Sequence, residues 1–385
     1  MQTRDYESPS PRVRTFLRIV DELGAIAAAP LKALRGTPEP QPARKILLLR
    51  CDGIGDVVFS TPAIRAMRAA YPAAQIDLVV GPWCKDVAEM IPGVDHVIAH
   101  APWGYRKLRA AKENLSPWED IEFARRIRRE GYDLALDLRG DLLSIVPMSL
   151  WNIPRRFARV TRGGAFAVTD IVPPAASGRG HEVERTIDVV AELGAASSED
   201  APRLVVPAAA IARAREVFAE HGQRLDDTIL LLPGAQWEWR RWPTEKFAAV
   251  ARALMARGHR VAAVGAKGDL PFLAPLVEAA PGAVLLAGKL DLKGVAGALA
   301  VCRGFVASES GPAAIASGVG AHGVVLFGPG VPAQFGPRGE HIRIVREPCG
   351  DRPCYQRGDC QRLPNWCMAR IEVDRVVATL GELLR

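Results

Sequence analysis

Aromatic residues are scarce in this 385-residue chain, at 6%, and no apolar run approaches the ~18 residues of a membrane-spanning helix. The first residues, MQTRDYESPSPRVR, lack the apolar core of a secretory signal, which predicts a cytoplasmic protein. Charged residues stand at an ordinary 24%, so wholesale disorder is not expected. The 35 Gly and 30 Pro recur at no fixed period, which excludes a collagen-like chain. Neither a zinc-finger Cys-pair–His-pair set (His96-x3-His100 has no C-x2–4-C before it) nor an aromatic-rich strand motif is present, so no nucleic-acid partner is expected. The G-x-G turn that follows the first strand, Gly53 and Gly55, has no third glycine, which leaves that strand-to-helix turn without the fingerprint of a nicotinamide oxidoreductase. An Asp-x-Asp pair, which holds a divalent ion in metal-dependent transferases, is missing too. Asp226-Asp227, placed before a strand, is a poor substitute.

What is there begins with charge. Lys plus Arg total 50 against 43 acids, a formal +7 that favours anionic partners such as phosphorylated lipids or nucleotide-sugars. Part of the excess is local: 106–162 holds 13 basic and 8 acidic residues, although RRIRRE (125–130) also reads as the solvated face of a helix. Residues 1–44 form an N-terminal extension in which prolines bracket one helical stretch, 13–29. Phe16, Leu17, Val20, Leu23 and Ile26 fall near one face of it, with Arg12, Arg14 and Arg18 at its start. Docking on the protein body is the preferred reading of this stripe, and contact with the inner face of the cytoplasmic membrane is the other.

From Lys45 the pattern is regular. KILLLR (45–50), IDLVV (76–80), HVIAH (96–100) and DLALDL (133–138) read as buried strands with helical segments between. A second series runs TILLL (228–232), RVAAV (260–264), AVLLA (283–287), GFVAS (304–308) and GVVLF (323–327). Two doubly wound α/β domains are predicted, over 45–205 and 206–370, followed by a closing helix over 371–385. Such sheets bind ligands beyond the carboxyl ends of their strands, which directs attention to the loops there.

Three loops stand out. The first, Arg50-Cys51-Asp52-Gly53-Ile54-Gly55-Asp56, joins a strand to a helix, with glycines that permit positive φ and close ligand approach. Asp56 reads equally as an N-cap and as a cleft-facing carboxylate. The second, 232–243, ends a strand in Pro233-Gly234 and carries Arg240, Arg241 and three tryptophans. Its arginines suit a diphosphate or else lie in solvent. The third, Ser308-Glu309-Ser310-Gly311-Pro312, is a strand-to-helix turn: an anion site at a helix start, with Glu309 suited to ribose hydroxyls, or a plain turn capped by Ser310.

In this order the loops resemble glycosyltransferase family 9, the ADP-heptose:lipopolysaccharide heptosyltransferases. KILLLRCDGIGDVVFSTPAIRAMRAAYPAAQIDLVVG, YDLALDLRG, HEVERTIDVVAELG, PGAQWEWRRWPTEKFAAVA and SESGPAAIASGVGAHGVVLFGP carry the likeness, over roughly 45–385. The resemblance implies a GT-B architecture: two Rossmann-like domains facing across a cleft, acceptor on the first and nucleotide-sugar on the second. The closing helix would return to the first domain. It implies an inverting, metal-independent transfer of heptose from ADP-heptose to an anionic glycan hydroxyl in lipopolysaccharide core or a comparable glycan. Asp56 matches the acid that takes the acceptor proton, beside the acceptor-side glycines Gly53 and Gly55. On the donor side Gly234, Arg240, Asp269, Glu309, Ser310 and Gly311 match, with Arg240 toward the diphosphate and Asp269 toward the adenosine ribose. Two positions depart from the family: Glu309 replaces the usual Asp, and Ala314 stands where a His is common. These departures keep open another nucleotide-sugar, a protein or secondary-metabolite acceptor, or a non-catalytic glycan-binding relative.

Cysteine is the last feature. Cys51, Cys84 and Cys302 are scattered, whereas Cys349, Cys354, Cys360 and Cys367 fall within nineteen residues. Four thiolates can complete a tetrahedral shell with no open position. Related cysteines recur at this end of the family, and in autotransporter heptosyltransferases a four-Cys finger holds iron. A structural Zn or Fe is therefore expected if any metal is present, with none required for catalysis.

Overall fold

The computed structural model describes residues 10–35, 43–105, 118–173, 180–196, 199–347 and 366–385. Runs such as KILLLR and TILLL have no polar side for water and so demand cover on both faces, the condition of an interior parallel strand. Their side chains are buried along nearly the whole of β1 (Lys45–Arg50) and all of β7 (Thr228–Leu232). Around β1 the sheet adds β2 (Gln75–Val80), β3 (His96–Ala99), β4 (Leu134–Asp137), β5 (Arg155–Ala158) and β6 (Asp170–Ile171). Around β7 it adds β8 (Arg260–Gly265), β9 (Val284–Ala287), β10 (Gly304–Ser308), β11 (Gly323–Phe327) and β12 (Ile342–Arg346).

The spatial orders are β3-β2-β1-β4-β5-β6 and β12-β11-β10-β7-β8-β9, with every pairing parallel. Numbered within its own unit, each is the 3-2-1-4-5-6 order of a Rossmann sheet. The order reverses between β1 and β4 in one unit, and between β7 and β10 in the other. Those reversals open a crevice at the strands' carboxyl ends.

Three strands, β5, β6 and β12, escaped the sequence reading. Arg155-Arg156-Phe157-Ala158 opens with two arginines, β6 has two residues, and β12 (Ile-Arg-Ile-Val-Arg) alternates at a sheet edge. The chain divides into compact units at Asp200/Ala201, ahead of the 205/206 boundary read from sequence. Leu204 already belongs to the second unit, its N–H donating to the Gly318 carbonyl at 2.8 Å. The closing helix, Val373–Leu383, buries Val376, Val377 and Leu380 in the second unit's core.

Helix α1 (Pro11–Arg35) docks on the first unit through the Asp21 carboxylate, which accepts the Gly164 and Ala165 N–H groups at 2.7 and 3.1 Å. No helix among the described residues is long and apolar enough to cross a membrane. Cys349, Cys354 and Cys360 lie outside the described residues. Cys367 is buried in the second core beside Met368. Among the described residues no group of three or more His, Cys, Asp or Glu is placed to hold a metal ion, so the four-cysteine reading finds no support there.

Candidate active site

In the first unit the loops after β1 and β4 meet over a buried charge network. Arg50, the last residue of β1, is 1% exposed, a position that an arginine occupies only with partners. It has three carboxylates: Asp52 at 2.9 Å, Glu182 at 2.7 Å and Asp56 at 3.2 Å. It also donates to the Leu138 carbonyl after β4. Burial opposes its charge, but the three acids outweigh that and raise its pKa.

Asp52 extends the network to the second loop, meeting Arg139 Nη1 at 2.6 Å. Arg139 in turn pairs with Asp141 and lies over the Tyr105 ring at 5.2 Å. Asp141 is fixed as the N-cap of the helix Leu142–Ser149, accepting from Leu143 and Ser144 N–H and from the Tyr105 hydroxyl at 2.8 Å. Between these loops Gly140 has φ +89°, and a Cβ there would fall 1.7 Å from the Arg159 carbonyl oxygen. Only glycine fits.

Asp56 is the third residue of helix α2 (Ile54–Phe59), not its N-cap. Its Oδ2 accepts the Gly53 N–H at 3.0 Å while Oδ1 faces Arg50, and 26% of the side chain is exposed. Burial and the nearby Asp52 charge push its pKa up to about 6, against the pull of Arg50. The positive φ expected of the glycines is not found. Gly53 is extended at φ −98°, and Gly55 lies within α2, outside the left-handed region. Glu182 comes from the helix Glu182–Ala191, whose start is a capping box: His181 accepts from Val183 N–H, and Glu184 from His181 N–H.

In the second unit the loops after β7, β8 and β10 carry the remaining candidates. Gly234 packs on Asp269, whose carboxylate oxygen would lie 2.7 Å from a Cβ at Gly234. Asp269 Oδ2 also accepts the Ala266 N–H at 2.9 Å. Arg240 ends a short 3-10 turn, and its Nη1 lies 3.3 Å from Glu309 Oε1 across the β7–β10 reversal. Glu309 is thus held on Arg240 with 7% of its side chain exposed. It is not left open, as a ribose contact would have it. Burial raises its pKa and Arg240 lowers it, with a net rise. Four buried polar atoms at these loops have no hydrogen-bond partner among the described residues: Arg240 Nε, Glu309 Oε2, Trp239 Nε1 and Trp242 Nε1.

Ser310 occupies the N-cap of the helix Gly311–Val319 but does not cap it with its side chain. Its hydroxyl donates back to the Ser308 carbonyl at 3.0 Å. Ala314 is buried in that helix. The two adjacent arginines separate: Arg241 stacks on Phe272 at 4.1 Å and donates to the Ala235 carbonyl. The tryptophans separate as well. Trp242 is core against Phe247, whereas Trp237 and Trp239 stack on each other at 4.9 Å.

Sequence reasoning reached Asp56, Arg240 and Glu309 but missed the network that supports Asp56. Its signal was the arginine ending an otherwise apolar strand, since a buried arginine demands acids nearby.

Two Rossmann units with charged residues gathered at both strand-order reversals define the GT-B class of glycosyltransferases. The glycosyltransferase family 9 structure from Veillonella parvula matches this fold with a TM-score of 0.78 at 22% identity, covering 91% of this chain and 99% of that one. The E. coli heptosyltransferase WaaC, solved with ADP, matches with a TM-score of 0.69 at 18% identity, over 88% and 99%. Lipooligosaccharide heptosyltransferase 2 of Haemophilus ducreyi is 25% identical over 357 residues, 88% of this chain and 99% of that protein. The model of glycosyltransferase family 9 (heptosyltransferase) matches residues 121–363, and the chain belongs to that family. It is a heptosyltransferase-like glycosyltransferase.

Proposed function

We propose that this enzyme transfers heptose from ADP-heptose to a hydroxyl of a lipopolysaccharide-core glycan on the cytoplasmic side, with inversion and without a catalytic metal. One observation carries the reading: a partly exposed carboxylate, Asp56, stands at the crevice of the first sheet with its pKa raised to about 6. That value suits a general base near neutral pH. Asp56 takes the proton from the acceptor hydroxyl as that oxygen bonds to the anomeric carbon. The bond from this carbon to the diphosphate oxygen breaks, and ADP leaves with the electron pair.

Arg50 and the Gly53 N–H fix the two carboxylate oxygens, so the base is oriented before substrate arrives. On the donor side Arg240 and the start of the helix Gly311–Val319 stabilise the leaving diphosphate, with Asp269 and Gly234 toward the nucleoside. The unpaired Arg240 Nε, Glu309 Oε2 and Trp239 Nε1 support a polar ligand there, because such atoms are costly to bury unsatisfied. The relative solved with ADP and the curated heptosyltransferases support the donor.

Asp56→Asn tests the base: turnover should fall at least about a hundredfold, with ADP binding intact. Turnover near that of the parent enzyme would remove Asp56 from the role. Glu309 and Ala314 favour a second reading, another nucleotide-sugar on the same machinery. A donor panel read by mass spectrometry separates the two.

A further inference from the structure

Helix α1 is held on one side only. Leu17 and Asp21 are buried, and Gly24 lies against the Phe166 ring, 2.4 Å from where a Cβ would stand. At ~100° per residue these three positions share one narrow arc, and Phe16, Ile19, Leu23 and Ile26 share another about 150° away. That second arc is uncovered: the four side chains are 60%, 50%, 63% and 72% exposed. The single stripe expected from sequence is therefore two. Leu17 serves the fold, while Phe16, Leu23 and Ile26 face solvent.

Charge accompanies the uncovered arc. Between Ser10 and Pro30 the exposed charged side chains are Arg12, Arg14, Arg18 and Glu22, and Arg12 lies on the apolar arc one turn ahead of Phe16. The apolar surface also continues onto the body of the unit. Val20, between the two arcs, lines an apolar cavity of about 430 Å³ with Trp103, Leu142, Leu143, Val146 and Phe166. Trp103 is itself 40% exposed.

We propose that α1 seats this protein on an anionic phospholipid surface, with Phe16, Ile19, Leu23 and Ile26 entering the headgroup boundary and Arg12, in line with them, and Arg18, at their flank, meeting lipid phosphates. An interfacial helix needs this combination of bulky apolar side chains on one arc and cationic residues beside it. A second copy of the chain fits less well. The arc carries Arg12 in line with its apolar side chains, so a mate seated on it in the same sense would bring like charges together. The docked Asp21 gives the helix a rigid mount, so membrane contact and attachment to the enzyme do not compete for the same residues. This inference is independent of the transfer reading.

Sedimentation of the full chain with vesicles tests it, comparing phosphatidylcholine alone with phosphatidylcholine plus one third phosphatidylglycerol. The protein should partition onto the anionic vesicles and be released by salt. Phe16→Gln with Leu23→Gln should lower the partition coefficient about tenfold or more. Arg12→Glu with Arg18→Glu should abolish the preference for anionic lipid. ADP affinity, measured in parallel, should be unchanged in both variants, which separates this result from failure of the transferase assignment. Equal partition of the parent chain onto both vesicle types, or unaltered partition of the Phe16/Leu23 variant, would overturn the proposal. So would a parent chain that fails to bind vesicles but is dimeric by light scattering, with the Phe16/Leu23 variant monomeric.

Discussion

The two units share one strand order but treat its reversal in opposite ways. At the β1–β4 reversal, Arg50 and Arg139 are shared among Asp52, Asp56, Glu182 and Asp141, and the second loop passes through a glycine that tolerates no side chain. At the β7–β10 reversal a single pair, Arg240 with Glu309, spans the gap at 3.3 Å and leaves buried polar atoms unmatched. The same topology therefore gives a crevice crowded with linked ion pairs in one unit and one spanned by a single pair in the other, although both hold buried polar atoms without a hydrogen-bond partner among the described residues, Asp137 Oδ2 in the first and Arg240 Nε in the second. A linked network suits a group that must stay oriented. A lone cation with a spare donor suits a charged ligand that arrives and leaves.

The largest effect should come from breaking the linked network of the first unit. Arg50→Met leaves Asp52 and Glu182 buried without their shared cation and should cost about 3–5 kcal/mol of stability. Thermal unfolding would show this as a marked fall in Tm. An unchanged Tm would show the network to be dispensable for folding.

Next is the pH profile of transfer. Asp56 must be ionised to accept a proton, so kcat/KM should fall about tenfold per unit below a midpoint near pH 6 and be flat above it. A midpoint at the ordinary carboxylate value would mean that burial and Asp52 do not act on the working enzyme. The linkage sign sharpens the Asp56→Asn comparison. A carboxyl whose folded pKa exceeds its unfolded 3.8 adds stability at low pH, and that contribution is lost as pH rises through about 6. The variant should thus be no less stable than the parent at pH 8.

In the second unit, Arg240→Ala should weaken ADP binding about 10- to 100-fold, the range of one charge-assisted contact, with little change in Tm. Calorimetry reads both. Unaltered affinity would move the diphosphate elsewhere. The smallest effect belongs to Glu309→Gln. If Glu309 competes with diphosphate for Arg240, the amide should tighten ADP binding roughly threefold. Weaker binding would instead return Glu309 to the ribose hydroxyls that its turn suits.

Much of this was legible in the order of residues. KILLLR and TILLL announce interior strands because an apolar run without alternation has no solvent face. Asp56 was visible because an acid after a glycine-containing strand-to-helix turn must stand at the strand's carboxyl end. The positions of Gly234 and Glu309 at strand ends followed from the same alternation of strand and helix, whereas Asp269 was reached only through the family resemblance. Two kinds of feature were not legible. Short edge strands such as β5 and β6 carry too few residues to show a period, and their pairing depends on a neighbour already in place. The division of the α1 stripe was hidden as well, since helical periodicity says which residues share an arc and not which arc the body will cover.

The supporting groups of the site are of the second kind. Arg50 and Glu182 stand 132 positions apart and meet only because the helix Glu182–Ala191 packs against α2 and the helix Thr61–Ala70, which follow β1. Arg240 and Glu309 meet only because β10 lies next to β7 rather than next to β9. Local pattern determined which segments became strands, helices and turns, because burial and backbone preference act over a few residues. Which distant charges became partners was settled by the packing of strands and helices, since electrostatic coupling depends on distance in space, whereas the raised pKa of Asp56 comes chiefly from its burial and from Asp52 in the same loop.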